Sequence, residues 1–221
     1  NLAGKAEHIV HNESFHITNP ELWSTHTPNR YTLRTIIRDS KNNQLLDESI
    51  ENFGLRWFSI DAEKGFFLNG EHIKLMGTCR HQCFKDMGIA LEDELHIRDV
   101  YLLKNMGGNY LRIAHYPQDP LILDLCDRLG ILTSVEIPVI NAVTEKEEYL
   151  KNSIGMMDEM MKQNFNHPSL VIWTYMNEIM LRPPYKTNTE EYKTYCKEVH
   201  RQATAIEKHI RALDPYRYTQ I

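Results

Sequence analysis

The sequence predicts an α/β protein: the first half of a (β/α)8 TIM barrel, preceded by a shorter β-rich segment. Three observations carry this reading. From Phe58 onward, helix-spaced apolar stripes alternate with short apolar runs, the pattern of repeated βα units that build a parallel sheet through right-handed crossovers. The run over residues 170–175 is apolar and too short for a typical helix, so it reads as a strand buried on both faces. Before Phe58 the signal is β-structure.

In that first segment Tyr31, Leu33, Thr35 and Ile37 alternate with Thr32, Arg34, Ile36 and Arg38, which predicts a half-buried strand. Asp39-Ser40-Lys41-Asn42-Asn43 reads as a turn, and a second strand runs from Leu45 towards Ile50. Pro20 and Pro28 fall in connecting loops, where a missing N–H does no harm. Two or three strands do not make a stable sandwich alone, so residues 1–57 are expected to be the C-terminal part of a domain. Residues 58–221 form the barrel half. Phe66-Phe67-Leu68-Asn69-Gly70, leading to Ile73 and Leu75, predicts a hairpin, because Asn-Gly supplies the positive φ angles of a tight turn. Ile97, Val100, Leu103 and Met106 stripe the first helix, followed by a strand over 109–113. Leu121, Ile122, Leu125 and Leu129 stripe the second, ended by Gly130 and followed by a strand over 131–135. Ile154, Met157, Met161 and Phe165 mark the third, before the strand at 170–175. Tyr192, Tyr195, Val199, Ile206, Ile210 and Leu213 mark the fourth, stopped near Asp214-Pro215, and residues 216–221 open a fifth strand. Four units are half of an eightfold barrel, which takes about 250 residues. The 221-residue chain is therefore expected to be cut at both ends.

Composition narrows the function classes. Hydrophobic residues make up 42% and charged residues 25%, as in an ordinary globular protein. A formal charge of −5 without a Lys/Arg run argues against a nucleic-acid surface. No apolar stretch reaches transmembrane length and no signal-peptide pattern opens the chain, so no membrane partner is expected. Cys79, Cys83, Cys126 and Cys196 make neither a CxxC pair nor a zinc spacing and read as free, packed thiols.

Polar residues cluster just after successive strands. Cys79-Arg80-His81-Gln82 follows the first, Ala114-His115-Tyr116-Pro117 the second, Glu136-Ile137-Pro138 the third and Asn177-Glu178 the fourth. In a barrel these strand ends share one face, which gathers them around one pocket. Asn177-Glu178 alone is equally a strand that stops at a polar loop; the joint pattern points to chemistry. Breaking a glycosidic bond needs a carboxylic acid to protonate the departing oxygen and a second carboxylate to stabilise or attack the anomeric carbon. Histidines and an arginine can donate hydrogen bonds to ring hydroxyls. Trp173 lies within the buried strand and reads as core rather than as a sugar platform.

These residues resemble glycoside hydrolase family 2, the family of β-galactosidases, β-glucuronidases and β-mannosidases. Asn19-Pro20-Glu21-Leu22-Trp23-Ser24 and Phe53-Gly54-Leu55-Arg56 look like the family's immunoglobulin-like β-sandwich domain and its exit. Phe67-Leu68-Asn69-Gly70 and Gly77-Thr78-Cys79-Arg80-His81 look like its entry into the barrel. Arg112-Ile113-Ala114-His115-Tyr116-Pro117, Cys126-Asp127-Arg128-Leu129-Gly130 and residues 167–178 complete the series, in the family's order.

The resemblance implies that Glu178 is the acid/base carboxyl and that Asn177 binds the sugar's 2-hydroxyl. It implies that Arg80, His81 and His115 line the sugar subsite, and that Glu136 helps to shape the pocket. The family retains anomeric configuration, so a nucleophilic Glu is expected beyond Ile221. The leading expectation is a retaining exo-β-glycosidase hydrolysing terminal β-linked sugars, a β-galactosidase first, with β-glucuronidase and β-mannosidase as alternatives. From a different class, the chain by itself is a non-catalytic half barrel, carbohydrate-binding or prone to associate through its open edges. No cofactor is implied. Metal-dependent β-galactosidases of the family carry a Glu and a His after the third strand; residues 136–141 lack that pair, so no metal is expected. Gln82 stands where the family commonly has Glu, as in β-galactosidase-like members from gut-type bacteria. The expected partner is a carbohydrate substrate, with a homo-oligomer possible, in a bacterial periplasm or cytoplasm.

Overall fold

A computed structural model describes residue 14 and residues 16–221; the part of the β-segment before Ser14 lies outside the described residues. Strands β1 (Tyr31–Arg38) and β2 (Leu45–Phe53) form an antiparallel ribbon. The Asp39 carboxylate closes its turn by accepting from the Lys41 and Asn42 amides at 2.8 and 3.1 Å. The alternation in β1 does not give a buried face. Leu33, Ile36 and Ile37 are each about 40% exposed, because no second layer covers the ribbon among the described residues.

β3 (Phe58–Asp61), β4 (Gly65–Leu68) and β5 (Glu71–Ile73) make a three-stranded antiparallel sheet. Asn69 (φ 53°) and Gly70 (φ 86°) form the tight turn between β4 and β5, as the sequence predicts. Then come β6 (Gly77–Arg80), α1 (Asp93–Asn105), β7 (Tyr110–Ile113), α2 (Pro120–Leu129), β8 (Leu132–Glu136), α3 (Glu147–Asn164), β9 (Leu170–Thr174), α4 (Glu190–Leu213) and β10 (Tyr218–Gln220). The last five strands form one parallel sheet in the order β10-β9-β8-β7-β6. With helices on its outer face, this is a partial TIM barrel.

Local chemistry explains the boundaries. Asp119 caps α2 by accepting from the Leu121 amide at 2.9 Å, Pro120 starts the helix, and Gly130 ends it at φ 66°. No Cβ fits at Gly130, since it would meet the Thr25 carbonyl oxygen at 2.5 Å. Thr189 caps α4 through the Tyr192 amide. The α1 stripe is rotated from the predicted one. His96, Val100 and Leu103 are buried, whereas Ile97 and Met106 are exposed, because a polar partner described below draws His96 inward. Phe165 and Leu213 also stay partly exposed, each at the end of its helix. The four cysteines are free, but only Cys126 is fully buried; Cys79 and Cys83 are exposed.

Two apolar clusters divide the molecule. The larger fills the space between the parallel sheet and its helices and includes Ile113, Ile122, Val135, Met157, Trp173 and Ile206. The smaller joins Trp23, Phe66, Leu68, Leu132 and Val171 and seals the barrel floor against the β3–β5 sheet. The floor also holds charge. Asp214 is fully buried and accepts from Trp173 Nε1 at 2.9 Å, Arg217 Nη1 at 2.7 Å and the Tyr216 and Arg217 amides. Burial pushes this carboxyl up, but the hydrogen bonds from Trp173 and Arg217 outweigh it and hold the pKa below its ordinary value.

A depressed folded pKa gives stability that is present above the unfolded carboxyl's value, near ~3.9, and is lost as pH falls through the folded value. Asp214→Asn is therefore expected to cost about 3 kcal/mol at pH 7, with the gap to the unaltered protein closing below about pH 4. Urea midpoints at pH 7 and pH 3 check this; a gap independent of pH would show that the charge does not matter.

Candidate active site

The pleat of the parallel sheet decides which side chains reach the barrel interior. Cys79, Arg112, Ser134 and Ile172 stand in one row across β6 to β9, and Arg80, Ile113, Val135 and Trp173 in the next. Ile113, Val135 and Trp173 belong to the core under the helices. Arg80 therefore faces the helices, and Arg112 faces the interior.

Arg80 is 7% exposed. Its Nε donates to Asp99 Oδ2 at 3.1 Å, Nη1 donates to Gln118 Oε1 at 2.5 Å, and Nη2 lies 3.1 Å from His96 Nδ1. Arg80, expected in the sugar subsite, thus makes its side-chain bonds away from the interior row. The strand's alternation turns it outward, where it ties β6 to α1 and to the loop entering α2. It is also the partner that buries His96.

The interior row and the strand ends assemble a different cluster. Glu136, the last residue of β8, is 1% exposed. One of its oxygens accepts from Arg112 Nε, and the other lies 2.9 Å from His115 Nδ1. Arg112 Nη2 donates to Asn177 Oδ1 at 2.7 Å, and Nη1 stands 4.0 Å from Cys79 Sγ. The His81 and His115 rings meet edge to face, with centroids 4.9 Å apart. The Ala114–His115 peptide before that ring is cis. Burial works against the Arg112 cation, but the hydrogen bond and charge of Glu136 outweigh it and raise its pKa above the usual arginine value.

Thus His81, His115, Glu136 and Asn177 come together at the C-terminal ends of the strands, and Arg112 joins them. Arg112 opens the Arg112–Pro117 motif, whose position after a strand assigns a role only to His115. The signal was there: a single cation between Leu111 and Ile113, both buried, in a four-residue strand.

Glu178 follows Asn177 directly. The ladder continues past the ends of β8 and β9, with Asn177 N donating to Val139 O at 2.9 Å and Asn141 N to Asn177 O at 3.0 Å. At Glu178 the backbone then turns into the left-handed region (φ 53°), closed by Leu181 N donating to Glu178 O at 2.7 Å. A non-glycine residue there costs about 1 kcal/mol or more, and such positions concentrate at functional sites. The side chain is exposed and lines an open cavity of about 410 Å³ with Met176, Ile179, Met180, Leu181 and Ile221. In the loop that follows, the Tyr185 hydroxyl donates to Glu145 at 2.9 Å.

Elsewhere, Asp124, Asp127 and His167 bring possible ligand atoms within 4.8 Å of one another near the floor. Asp127 is already engaged there, with His167 Nδ1 at 2.6 Å and the Ser169 amide at 3.0 Å. A floor cavity of about 440 Å³ is lined by Arg56, Arg217, Asp214 and aromatic rings. Arg56 spends its donors on the Pro168 and Leu170 carbonyls, and Arg217 spends its own on Asp214 and on the Leu170 and Phe165 carbonyls. Burial, with Arg217 close by, lowers the Arg56 pKa to about 9. No described helix is long and apolar enough to cross a membrane.

In the full-length protein Arg80→Ala is expected to cost about 3 kcal/mol of stability by stranding its partners, while leaving KM for substrate unchanged. Melting curves beside steady-state kinetics check this; a raised KM with unchanged melting would return Arg80 to the sugar site.

Comparison with known proteins places this arrangement. The sequence profile described as "Glycosyl hydrolases family 2, TIM barrel domain" matches residues 59–221, and that of "Glycosyl hydrolases family 2" matches residues 2–56. A putative β-glucuronidase of Formosa agariphila is 35% identical over 207 residues, 93% of this chain and 24% of the relative. A β-galactosidase of Bacteroides ovatus is 33% identical over 186 residues, 80% of this chain and 22% of the relative. The crystal structure of a Bacteroides uniformis β-glucuronidase superimposes with a TM-score of 0.89 at 43% identity, covering 94% of this chain and 25% of that one. The chain thus spans about a quarter of the length of these relatives. With both profiles matched in order and the barrel half aligned throughout, the chain belongs to glycosyl hydrolase family 2.

Proposed function

We propose that this chain supplies the acid/base half of a retaining exo-β-glycosidase whose substrates are terminal β-glucuronides. The observation that carries the glycosidase reading is the Asn177–Glu178 pair at the end of β9. Arg112 donates to the Asn177 amide oxygen, and Glu178 follows directly, with its backbone in the left-handed region and its side chain exposed. In the first step Glu178 gives its proton to the departing glycosidic oxygen as the C1–O bond breaks and a second carboxylate bonds to C1. In the second step the Glu178 carboxylate takes a proton from water as the water oxygen bonds to C1 and releases that carboxylate. Glu136 does not suit the nucleophile's part, because Arg112 and His115 occupy both its oxygens. The reading therefore requires a nucleophile from outside this sequence. Asn177 binds the 2-hydroxyl, and His81 and His115 flank the sugar.

The choice of sugar moves from the galactoside expected first to the glucuronide. Two of the three relatives described above carry the name β-glucuronidase, at 35% and 43% identity. The Bacteroides ovatus enzyme keeps β-galactoside as the second reading.

Nitrophenyl β-glucuronide, β-galactoside and β-mannoside, offered to the full-length protein and to this chain, test the reading. Turnover of the glucuronide by the full-length protein alone is expected; turnover of only the galactoside would transfer the assignment. Glu178→Gln is expected to lower kcat on substrates with poor leaving groups by roughly 10²–10⁴-fold, and far less on activated aryl glycosides. Equal losses on both would contradict an acid role.

A further inference from the structure

Glu136 is the buried carboxylate that the proposed reaction does not use, yet three members of the site hang from it directly or through one neighbour. A carboxylate only accepts hydrogen bonds and a guanidinium only donates them, so the direction of each link is fixed. His115 Nδ1, 2.9 Å from Glu136, must carry a proton. Arg112, gripped through Nε, turns Nη2 towards Asn177, and the amide must answer with its oxygen, Oδ1, at 2.7 Å. Asn177 is 8% exposed, and its Nδ2 is buried without a partner among the described residues. An unpaired buried donor costs about 1–3 kcal/mol, a cost relieved by any acceptor that enters.

We infer that Glu136 is a positioning residue: through Arg112 it fixes the Asn177 amide with Nδ2 as the donor presented to substrate. The group that meets Asn177 is then a hydroxyl oxygen acting as acceptor. A substrate lacking that hydroxyl leaves the donor unpaired. This rests on the glycosidase reading above and adds to it the residue that sets the polarity of the contact. Glu136 and Arg112 bear on the reaction only through Asn177, while the link to His115 holds the carboxylate from its other side.

The test uses the full-length protein with an aryl β-glucuronide and its 2-deoxy analogue. Glu136→Gln is expected to lower kcat/KM on the parent sugar by at least about 10-fold more than on the analogue. Combined with Asn177→Ala, it is expected to show a coupling of similar size. A scaffold residue with no part in orienting the amide would lower both substrates equally and add independently to Asn177→Ala, and that result overturns the proposal. If Glu136→Gln shows no melting transition, Arg112→Lys replaces it. The lysine keeps the charge beside Glu136 but cannot reach both partners with a rigid fork, and the same difference between the two sugars is expected. Inactivity of the unaltered protein on glucuronide, galactoside and mannoside alike overturns the glycosidase reading and this proposal with it. Activity with equal losses overturns the proposal alone.

Discussion

A parallel strand buried on both faces sends alternate side chains into two different environments, and most of this molecule follows from that constraint. One row of the sheet is committed to the helices, which demand apolar volume; the other is committed to the barrel interior, where polar groups can meet. Arg80 and Arg112 stand on adjacent strands one row apart. That single offset makes one arginine a tie between secondary-structure elements and the other the centre of a recognition cluster. A one-residue slip of β7 would exchange Arg112 for Ile113 in the interior and dismantle both the core and the site.

Both ends of the barrel bury a carboxylate, and the two are satisfied differently. At the floor, Asp214 is enclosed by an indole, a guanidinium and two backbone amides, so every nearby donor is consumed. At the mouth, Glu136 consumes Arg112 Nε and His115 Nδ1, but the chain of bonds leaves the Asn177 amide nitrogen unspent. Buried ion pairs add little net stability over apolar packing. The closed network suits a structural joint, whereas the open one suits a site that awaits a ligand.

Much of this was legible in the sequence, for identifiable reasons. The parallel strands and their helices were readable because burial on both faces or along one stripe imposes its period on the residues. The Asn69-Gly70 turn and the Gly130 helix stop were readable because positive φ restricts residue choice. The convergence of His81, His115, Glu136 and Asn177 followed from their shared position after successive strands. The outward turn of Arg80 was not legible, because proximity to a strand end does not say which face a side chain takes; parity was needed, and the first strand's true end falls at Arg80 itself. Arg112 was overlooked because it lies inside a strand rather than after one. The exposure of the β1 ribbon could not be read from its alternation, since a period of two marks a face fit for burial without supplying the layer that buries it.

Trp23 is wholly buried, donates through Nε1 to the Asp127 carbonyl at 2.8 Å, and receives Asn69 Nδ2 on its own carbonyl at 3.0 Å. Two residues on, the Thr25 carbonyl accepts from Lys104 and sits where Gly130 has no side chain. The stretch from Trp23 to Thr25, ahead of the β1–β2 ribbon, is thus gripped from α1, α2 and the β4–β5 turn at once. A junction built in this way works as a weld rather than a swivel: force applied to the preceding segment loads the barrel floor directly instead of being absorbed by the link.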